Sequence, residues 1–517
     1  MDEEDYETSP ENRRRLDAID DVLYRRNLCS TLNHLTAVSL FTDPVYGQPY
    51  PTEEEYAAAK PSERAMLSLR RCIHLWHSAY FAMVATCKGN QFRKGDLSEA
   101  DLRTIVNCYN DYVPPILTAG EDISALGCWI RIAYQQFPYQ RRWWAGITRA
   151  RFMFNYHSPE CSLRLPEAIQ GQFGATYDEI LGICDALSML VHNRVKSGKD
   201  AAFTWEMLAD GYLPWVDRTK LKGVLDSLTQ TQLEFRTTYD RLKSSDTRQR
   251  IYDFNPLLDR PLVRIDSYYY APVPALLLLW ATEGIAYRLR DQLGAGPFGD
   301  SFGKAFEAFV ANLLTESGRE FVPEVQLARG EKTADFIVME EDEALIMDCK
   351  SRQFAVRGRY GIQDAIEIDT KESIVKGIRQ ALRTETYVRE RRRELTAYPG
   401  ISDISHFSYA VVTLDNYYLA NSKMMRRLVK DELGCDVHYE VMSCRDLELL
   451  LANPGSANLV SFLREKADPT QELPLSYEDQ LRTELESGEQ LVDPAQRLAL
   501  AMAAELRDKI VQFRGMQ

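Results

Sequence analysis

The chain has ten cysteines in 517 residues but no C-x-x-C pair, which excludes the paired-thiolate pattern of a zinc ribbon or a thioredoxin-like redox site. No signal peptide opens it, and scattered thiols fit a reducing compartment, so a cytoplasmic protein with free cysteines is expected. Long hydrophobic runs are also missing. The longest, around Val273 to Ala281, is far too short to span a bilayer, and no membrane association is expected. Nor is there a glycine-rich loop ending in the lysine that cradles a nucleotide's phosphates. Net positive charge is absent too: a balance of −14 excludes a surface coated for phosphate binding, although an acidic chain can still carry a local basic groove.

The length predicts two or three domains with large cores. Residues 1–15 are charged and expected to be disordered. Residues 16–250 read as a mainly α-helical sensor or partner domain, in which the clearest helix spans Arg64 to Thr86, with Met66, Leu69, Ile73, Trp76, Tyr80 and Met83 at spacings of three and four. Residues 251–297 form a connecting segment with a strand at Leu262 to Ile265, an extended stretch at Tyr268 to Tyr270 and an apolar helix. An α/β domain follows over 298–455, in which His406 to Leu414 and Asp436 to Met442 read as strands, Ser422 to Leu433 as a helix and Ser443 as the cap of another, and the charged helical tail of 456–517 either packs back or binds a partner.

The α/β region carries the chemistry. Thr333 to Met339 and Ala344 to Cys349 are apolar, β-rich runs around Glu340, Glu341, Asp342 and Glu343, which predicts a hairpin. If Glu340 pairs with Glu343, Asp335 lies directly opposite Asp348, and strand alternation puts Lys350 on that same face. Carboxylates with Cβ atoms roughly 5 Å apart repel unless something sits between them. A divalent cation answers this, and oxygen ligands with room for water suit Mg²⁺ or Mn²⁺. Upstream, Phe302, Phe306, Phe309, Val310, Leu313 and Leu314 mark the core side of a helix that also carries Glu307 at its apolar edge, a costly place for an unpaired acid.

With these residues in view, the chain resembles the PD-(D/E)XK, or restriction-endonuclease-like, nuclease superfamily over roughly Phe298 to Asn453. The resemblance implies a mixed sheet flanked by helices, an α/β core preceded here by the large helical domain. It makes Asp335 the first acid, Asp348-Cys349-Lys350 the D-x-K tripeptide, Glu307 the acid of the first helix and Gln380 the glutamine of the next one. Asp335, Asp348 and the Cys349 carbonyl would hold the metal, with Glu307 serving a second ion, while Lys350 and Gln380 face the attacking water and the phosphate. Ala334 stands where the family's proline is common. A rival triplet, Asp369-Thr370-Lys371, follows the alternating segment AIEI. Here Asp369 or Thr370 is read as the N-cap of a helix from Lys371 to Arg393.

Arg352, Arg357, Arg359, Lys376, Arg379 and Arg383 form the expected nucleic-acid-binding patch, with DNA preferred over RNA because the superfamily mostly acts on DNA. The expected activity is an endonuclease, and the connecting segment is similar to the lead-in of some bacterial defence-associated nucleases, which suggests a role against phage or foreign DNA. Unrestrained cleavage would harm a host, so control by homo-oligomerisation or by a separate NTPase or other regulatory protein is expected. Two other readings stand beside this one. The first is a non-catalytic nuclease fold used for nucleic-acid binding or assembly. The second is a HEPN-like ribonuclease centred on Arg71 and His77, against which helix capping by His74 and His77 is preferred. The arginine-aromatic stretch from Trp129 to Phe154 is read as an amphipathic helix pair with snorkelling arginines in preference to a base-stacking surface.

Overall fold

An eight-residue strand that is buried on both faces needs partners on both edges and layers on both sides. Glu343–Lys350 is that strand: in the computed structural model its six inner residues, Ala344 to Cys349, are all buried. The structure describes residues 10–43, 57–58, 72–112, 123–140, 142, 144–243, 247–352, 354–359, 361–453, 459–467, 481 and 491–515. Nine strands occur among them. Four short ones, β1 (Phe203–Thr204), β2 (Thr229–Thr231), β3 (Leu262–Ile265) and β4 (Tyr268–Tyr270), make a small sheet in the order β1-β4-β3-β2. The other five, β5 (Phe321–Pro323), β6 (Phe336–Glu340), β7 (Glu343–Lys350), β8 (His406–Thr413) and β9 (Glu440–Ser443), lie side by side in chain order.

The larger sheet is mixed. Strands β5, β6 and β7 form an antiparallel meander, and β8 and β9 add in parallel to β7. Glu340 pairs with Glu343, and Glu341 at the tip has φ +56°, the hand that a two-residue hairpin loop requires. The acidic tip is neutralised locally, since Glu340 pairs with Arg319 and Glu343 with Arg464. A parallel pair cannot be joined by a tight turn. Between β7 and β8 the chain crosses over through helices, and between β8 and β9 through one more.

The helices that matter for the site are α1 (Leu75–Lys88), α2 (Ile123–Gln136), α3 (Ile147–Asn155), α4 (Tyr177–Lys196), α5 (Ala295–Glu316), α6 (Gln363–Thr370), α7 (Lys376–Arg389), α8 (Lys423–Leu433), α9 (Cys444–Ala452) and α10 (Pro494–Gly515). Helix α5 covers one face of the sheet, where Phe302, Phe306 and Phe309 share a core with Leu345, Met347 and Cys349. Helices α2, α7 and α8 cover the other, packing Ile130, Ile378 and Val429 around Val411 and Val441. The first core also takes in Phe154 of α3, Leu187 of α4 and Ala495 and Ala499 of α10, so the helical half and the C-terminal helix share their apolar interior with the sheet. The tail packs back.

Three expectations need correction. The segment AIEI is helical: its residues lie in α6, which continues through a π-turn at Lys371–Val375 into α7. Asp369 is therefore a mid-helix residue and no N-cap. Its buried carboxylate accepts instead from Arg352 Nε and Nη2 (3.1 and 2.9 Å) and from the Ala355 N–H (2.8 Å). The helix expected over Arg64 to Thr86 is interrupted: Cys72 is helical, Ile73 and His74 are not, and the helix that carries Thr86 starts at Leu75; residues 59–71, Arg71 among them, lie outside the described residues. The break falls at His74, whose N–H donates to Nδ1 of His77 at 2.8 Å. The strand expected from Asp436 is shorter, starting at Glu440.

The arginines from 129 to 154 anchor elements to each other. Arg131 of α2 is buried and pairs with Asp253 at 3.0 Å. Arg149 of α3, also buried, donates to the Leu414 carbonyl at 2.6 Å and lies 3.5 Å from Asp415 and 3.8 Å from Glu283. Helix α2 meets the segment beyond β7 at a contact without side chains. A Cβ on Gly127 would stand 2.2 Å from the Gly361 carbonyl oxygen, and one on Gly361 would stand 2.1 Å from that of Gly127. Among the described residues, no helix is long and apolar enough to cross a membrane.

Candidate active site

The register at the hairpin positions the acids. Phe336 pairs with Met347, so one further step sets Asp335 opposite Asp348. The ladder bond that would be expected there is replaced by a side chain, because the Cys349 N–H donates to Asp335 Oδ2 at 2.6 Å. Asp348 is fully buried, and Lys350 Nζ forms an ion pair with its Oδ2. Its Oδ1 has no hydrogen-bond partner, an arrangement that a buried carboxylate tolerates only if a cation or a proton is at hand. Cys349 points the other way into the α5 core, and burial pushes its thiol well above the ordinary range.

Helix α7 reaches this site at a glycine. A Cβ on Gly377 would lie 3.0 Å from Asp348 Oδ2 and 3.0 Å from Val411 Cγ2, so the helix backbone forms one wall around the carboxylate. One turn on, Gln380 Nε2 donates to the Thr333 carbonyl at 2.8 Å, and Thr384 Oγ1 accepts from the Ala334 N–H at 2.6 Å. Gln380 thus holds the backbone that delivers Asp335. Glu307 stands on the exposed side of α5, close enough for the charges of Asp348 and Lys350 to act on it.

The electrostatics follow from this crowding. Burial first, then the Asp348 and Glu307 charges, raise the pKa of Asp335, against the Cys349 N–H and Lys350, which lower it. Burial also raises Asp348, with Lys350 opposing. Glu307, though exposed at the helix surface, is raised by desolvation from the protein around its carboxyl and then by Glu324. For Lys350, burial disfavours the charge, but Asp348 and Asp335 outweigh it and the ammonium is retained. Two facing acids with raised pKa values hold a proton more tightly folded than unfolded. Their contribution to stability is fully present below the ordinary carboxylate value of about 4 and is lost as pH rises through the raised values. Thermal melts in EDTA from pH 5 to 9 are expected to show the wild type losing stability with rising pH and Asp335→Asn flattening that slope; parallel curves would refute the assignment.

Among the described residues, no three His, Cys, Asp or Glu side chains are gathered into a ready-made metal cage. Two facing carboxylates, one oxygen of which is buried without a partner, and the Cys349 carbonyl suit a hard cation that keeps part of its coordination for water and phosphate. The proposed phosphate-binding residues divide into two kinds. Arg352 is held by Asp369, Arg357 by Asp364, and Arg359 donates to the Phe354 carbonyl at 3.1 Å while stacking over Tyr134 and Tyr287. Arg379 donates to the Glu432 carbonyl at 2.6 Å. Lys376 and Arg383 are exposed on α7, and Lys376 lies near enough to act on Asp348.

Glu324, which the sequence reading did not single out, is paired with Lys332 at 2.8 Å and lies near enough for its charge to act on Glu307 and Asp348. Pro323 pairs with Phe336, so the next step brings Glu324 to the Asp335 row; the signal was a lone acid just past a three-residue strand. His77, by contrast, is a capping residue. It accepts at Nδ1 from His74 and shares Nε2 with Asn110 Oδ1 at 2.9 Å; burial, above all, lowers it to about 3, leaving it neutral. No protein-family model, curated protein or solved structure matches the chain.

Proposed function

We propose that the chain is a metal-dependent nuclease of the PD-(D/E)XK type that hydrolyses phosphodiester bonds in DNA. The observation that carries this is the pair of half-buried Asp335 and fully buried Asp348, set opposite each other by the strand register with Lys350 beside them, at the end of a meander whose last strand continues into a parallel pair. Asp335, Asp348 and the Cys349 carbonyl would hold Mg²⁺ or Mn²⁺, and Glu307 stands at the edge of the same cluster. Held there, such an ion would supply Lewis-acid polarisation of the phosphate and would lower the pKa of a nearby water. Lys350, kept charged by its carboxylate neighbours, cannot serve as a base. It orients the water and offsets the negative charge that builds on the phosphorane. Gln380 acts one step back by fixing the segment that presents Asp335. Lys376 and Arg383 offer unspecific cationic contacts along the DNA backbone, and a setting in defence against foreign DNA, with control by a partner or by self-assembly, remains part of the proposal.

The test is incubation of the purified chain with plasmid, linear duplex, single-stranded DNA and RNA in Mg²⁺, Mn²⁺ or EDTA. Cutting of DNA that stops in EDTA is the expected result. Metal-independent cutting of RNA alone would overturn it, and binding of DNA without cutting would favour a non-catalytic use of the fold.

A further inference from the structure

We propose that the cleft between helix α8 and the segment leading into β9 binds a compact organic phosphate, a phosphomonoester carried on a small body. The cleft encloses about 370 Å³, and none of the hairpin's acids lines it, so this site stands apart from the nuclease reading. Its first wall follows from the sequence of α8. Arg426, Lys430 and Leu433 recur at spacings of four and three, with Arg427 and Asp431 beside them, so one face of the helix brings its cations to the cleft. Gly434, at φ +74°, ends the helix in the left-handed region. The chain then passes through Cys435 to Tyr439, which form the other wall.

The basic residues are employed differently. Arg426 is committed to the chain itself: it donates to the carbonyls of Asn421, Tyr439 and Ala467, pairs with Glu440 and lies over the Tyr439 ring. Arg427 and His438 are exposed and make no hydrogen bond or ion pair among the described residues. Lys430 pairs with Asp436 at 2.6 Å, but both side chains are more than half exposed, and such a pair opens at little cost. Val429, Leu433 and Val437 give the cleft an apolar side backed by the core under the sheet. Tyr439 lines it too, and its hydroxyl is buried without a hydrogen-bond partner. Buried donors are ordinarily matched, so a wall residue of the cleft holds one that the chain does not answer.

The chemistry of the occupant follows from this set. In a chain of net charge −14, a guanidinium, an imidazole and a releasable ammonium on one cleft select an anion. A phosphomonoester carries about 1.5 to 2 negative charges near pH 7 and three acceptor oxygens, enough to draw Lys430 from Asp436 and to engage Arg427 and His438 as well. The volume lies near the lower end of the range for small-molecule sites, about 300–1,000 Å³. The body is therefore of the size of a sugar or a nucleoside, and it rests against the valines and Leu433.

The experiment is calorimetric titration of the purified full chain in EDTA, which keeps metal ions out of the hairpin, with AMP, glucose 6-phosphate and inorganic phosphate as probes. Adenosine and glucose serve as uncharged controls, and circular dichroism checks the fold of each variant. One phosphomonoester per chain is expected, with neither control binding. Arg427→Ala should weaken it by more than about tenfold, the scale of a lost charge-assisted hydrogen bond. Asp436→Asn should tighten it by roughly two- to fivefold, the scale of releasing one exposed ion pair, a gain that a merely structural pair would not give. AMP bound more tightly than the sugar phosphate identifies a nucleoside body, and the reverse order a sugar. Inorganic phosphate bound as tightly as both esters would overturn the organic body. No probe bound below about 1 mM, or equal binding by wild type and Arg427→Ala, would overturn the site.

Discussion

Asp348→Ala and Lys350→Ala are expected to abolish metal-dependent DNA cleavage, each by a factor of about 10² to 10³ or more, while both proteins remain folded by circular dichroism. The two losses differ in origin. Asp348 carries the buried oxygens that face Asp335, so its removal takes away a ligand and the repulsion together. Lys350 is the cation in contact with Asp348, so its removal strands a buried negative charge. Melting in EDTA should therefore separate them, with Lys350→Ala lowering the midpoint more than Asp348→Ala, whose loss also relieves Asp335. Cleavage retained by both variants would remove the assignment of this hairpin as the catalytic centre.

The largest expected effect on stability lies at Arg149. This side chain is buried and answers a backbone carbonyl, Asp415 and Glu283 together. Replacing it by methionine preserves most of the volume but takes a donor from the Leu414 carbonyl and one cation from Asp415 and Glu283, a loss on the scale of breaking a buried pair, about 3–5 kcal/mol. The effect should reach the site, because the Leu414 N–H donates to the Lys350 carbonyl at 3.1 Å, one residue from the carbonyl proposed to hold the metal. Arg149→Met is expected to melt earlier in denaturant and to cleave more weakly at temperatures where it is still folded. An unchanged midpoint would show that this node carries no load between the helical half and the sheet.

The hairpin was legible because its features are local. Four acids interrupt two apolar runs, and once Glu340 faces Glu343 the alternation of side chains leaves one place for Asp335, Asp348 and Lys350. The strand at His406, the helix from Ser422 and the cap at Ser443 were legible for the same reason. What escaped depends on distant partners. Asp369 looks like a cap until Arg352, seventeen residues earlier, is seen to claim it. Four alternating residues in AIEI are too few to tell a period of 2 from one of 3.6, and burial of Ala365, Ile366, Asp369 and Thr370 follows the helical period. Glu324 was hidden because the one-residue register shift between the Pro323–Phe336 pair and the Gln326–Lys332 bridge leaves no mark in composition. The arginines were read as one basic patch, whereas most of them spend their charge on Asp369, Asp364 and carbonyl oxygens of the chain itself.

The meeting of Gly127 with Gly361 has a further consequence. The segment it touches follows Lys350 by eleven residues and leads through α6 into α7, the helix that walls Asp348. Two bare backbones pressed together carry no ionisable group, so this joint is blind to pH and salt, unlike the arginine anchors around it. It transmits position alone, as a mechanical stop does. A displacement of helix α2 by whatever the helical half engages would be passed on undiminished by electrolyte, which makes the joint a natural fulcrum and a single added methyl group at Gly127 a wedge driven into it.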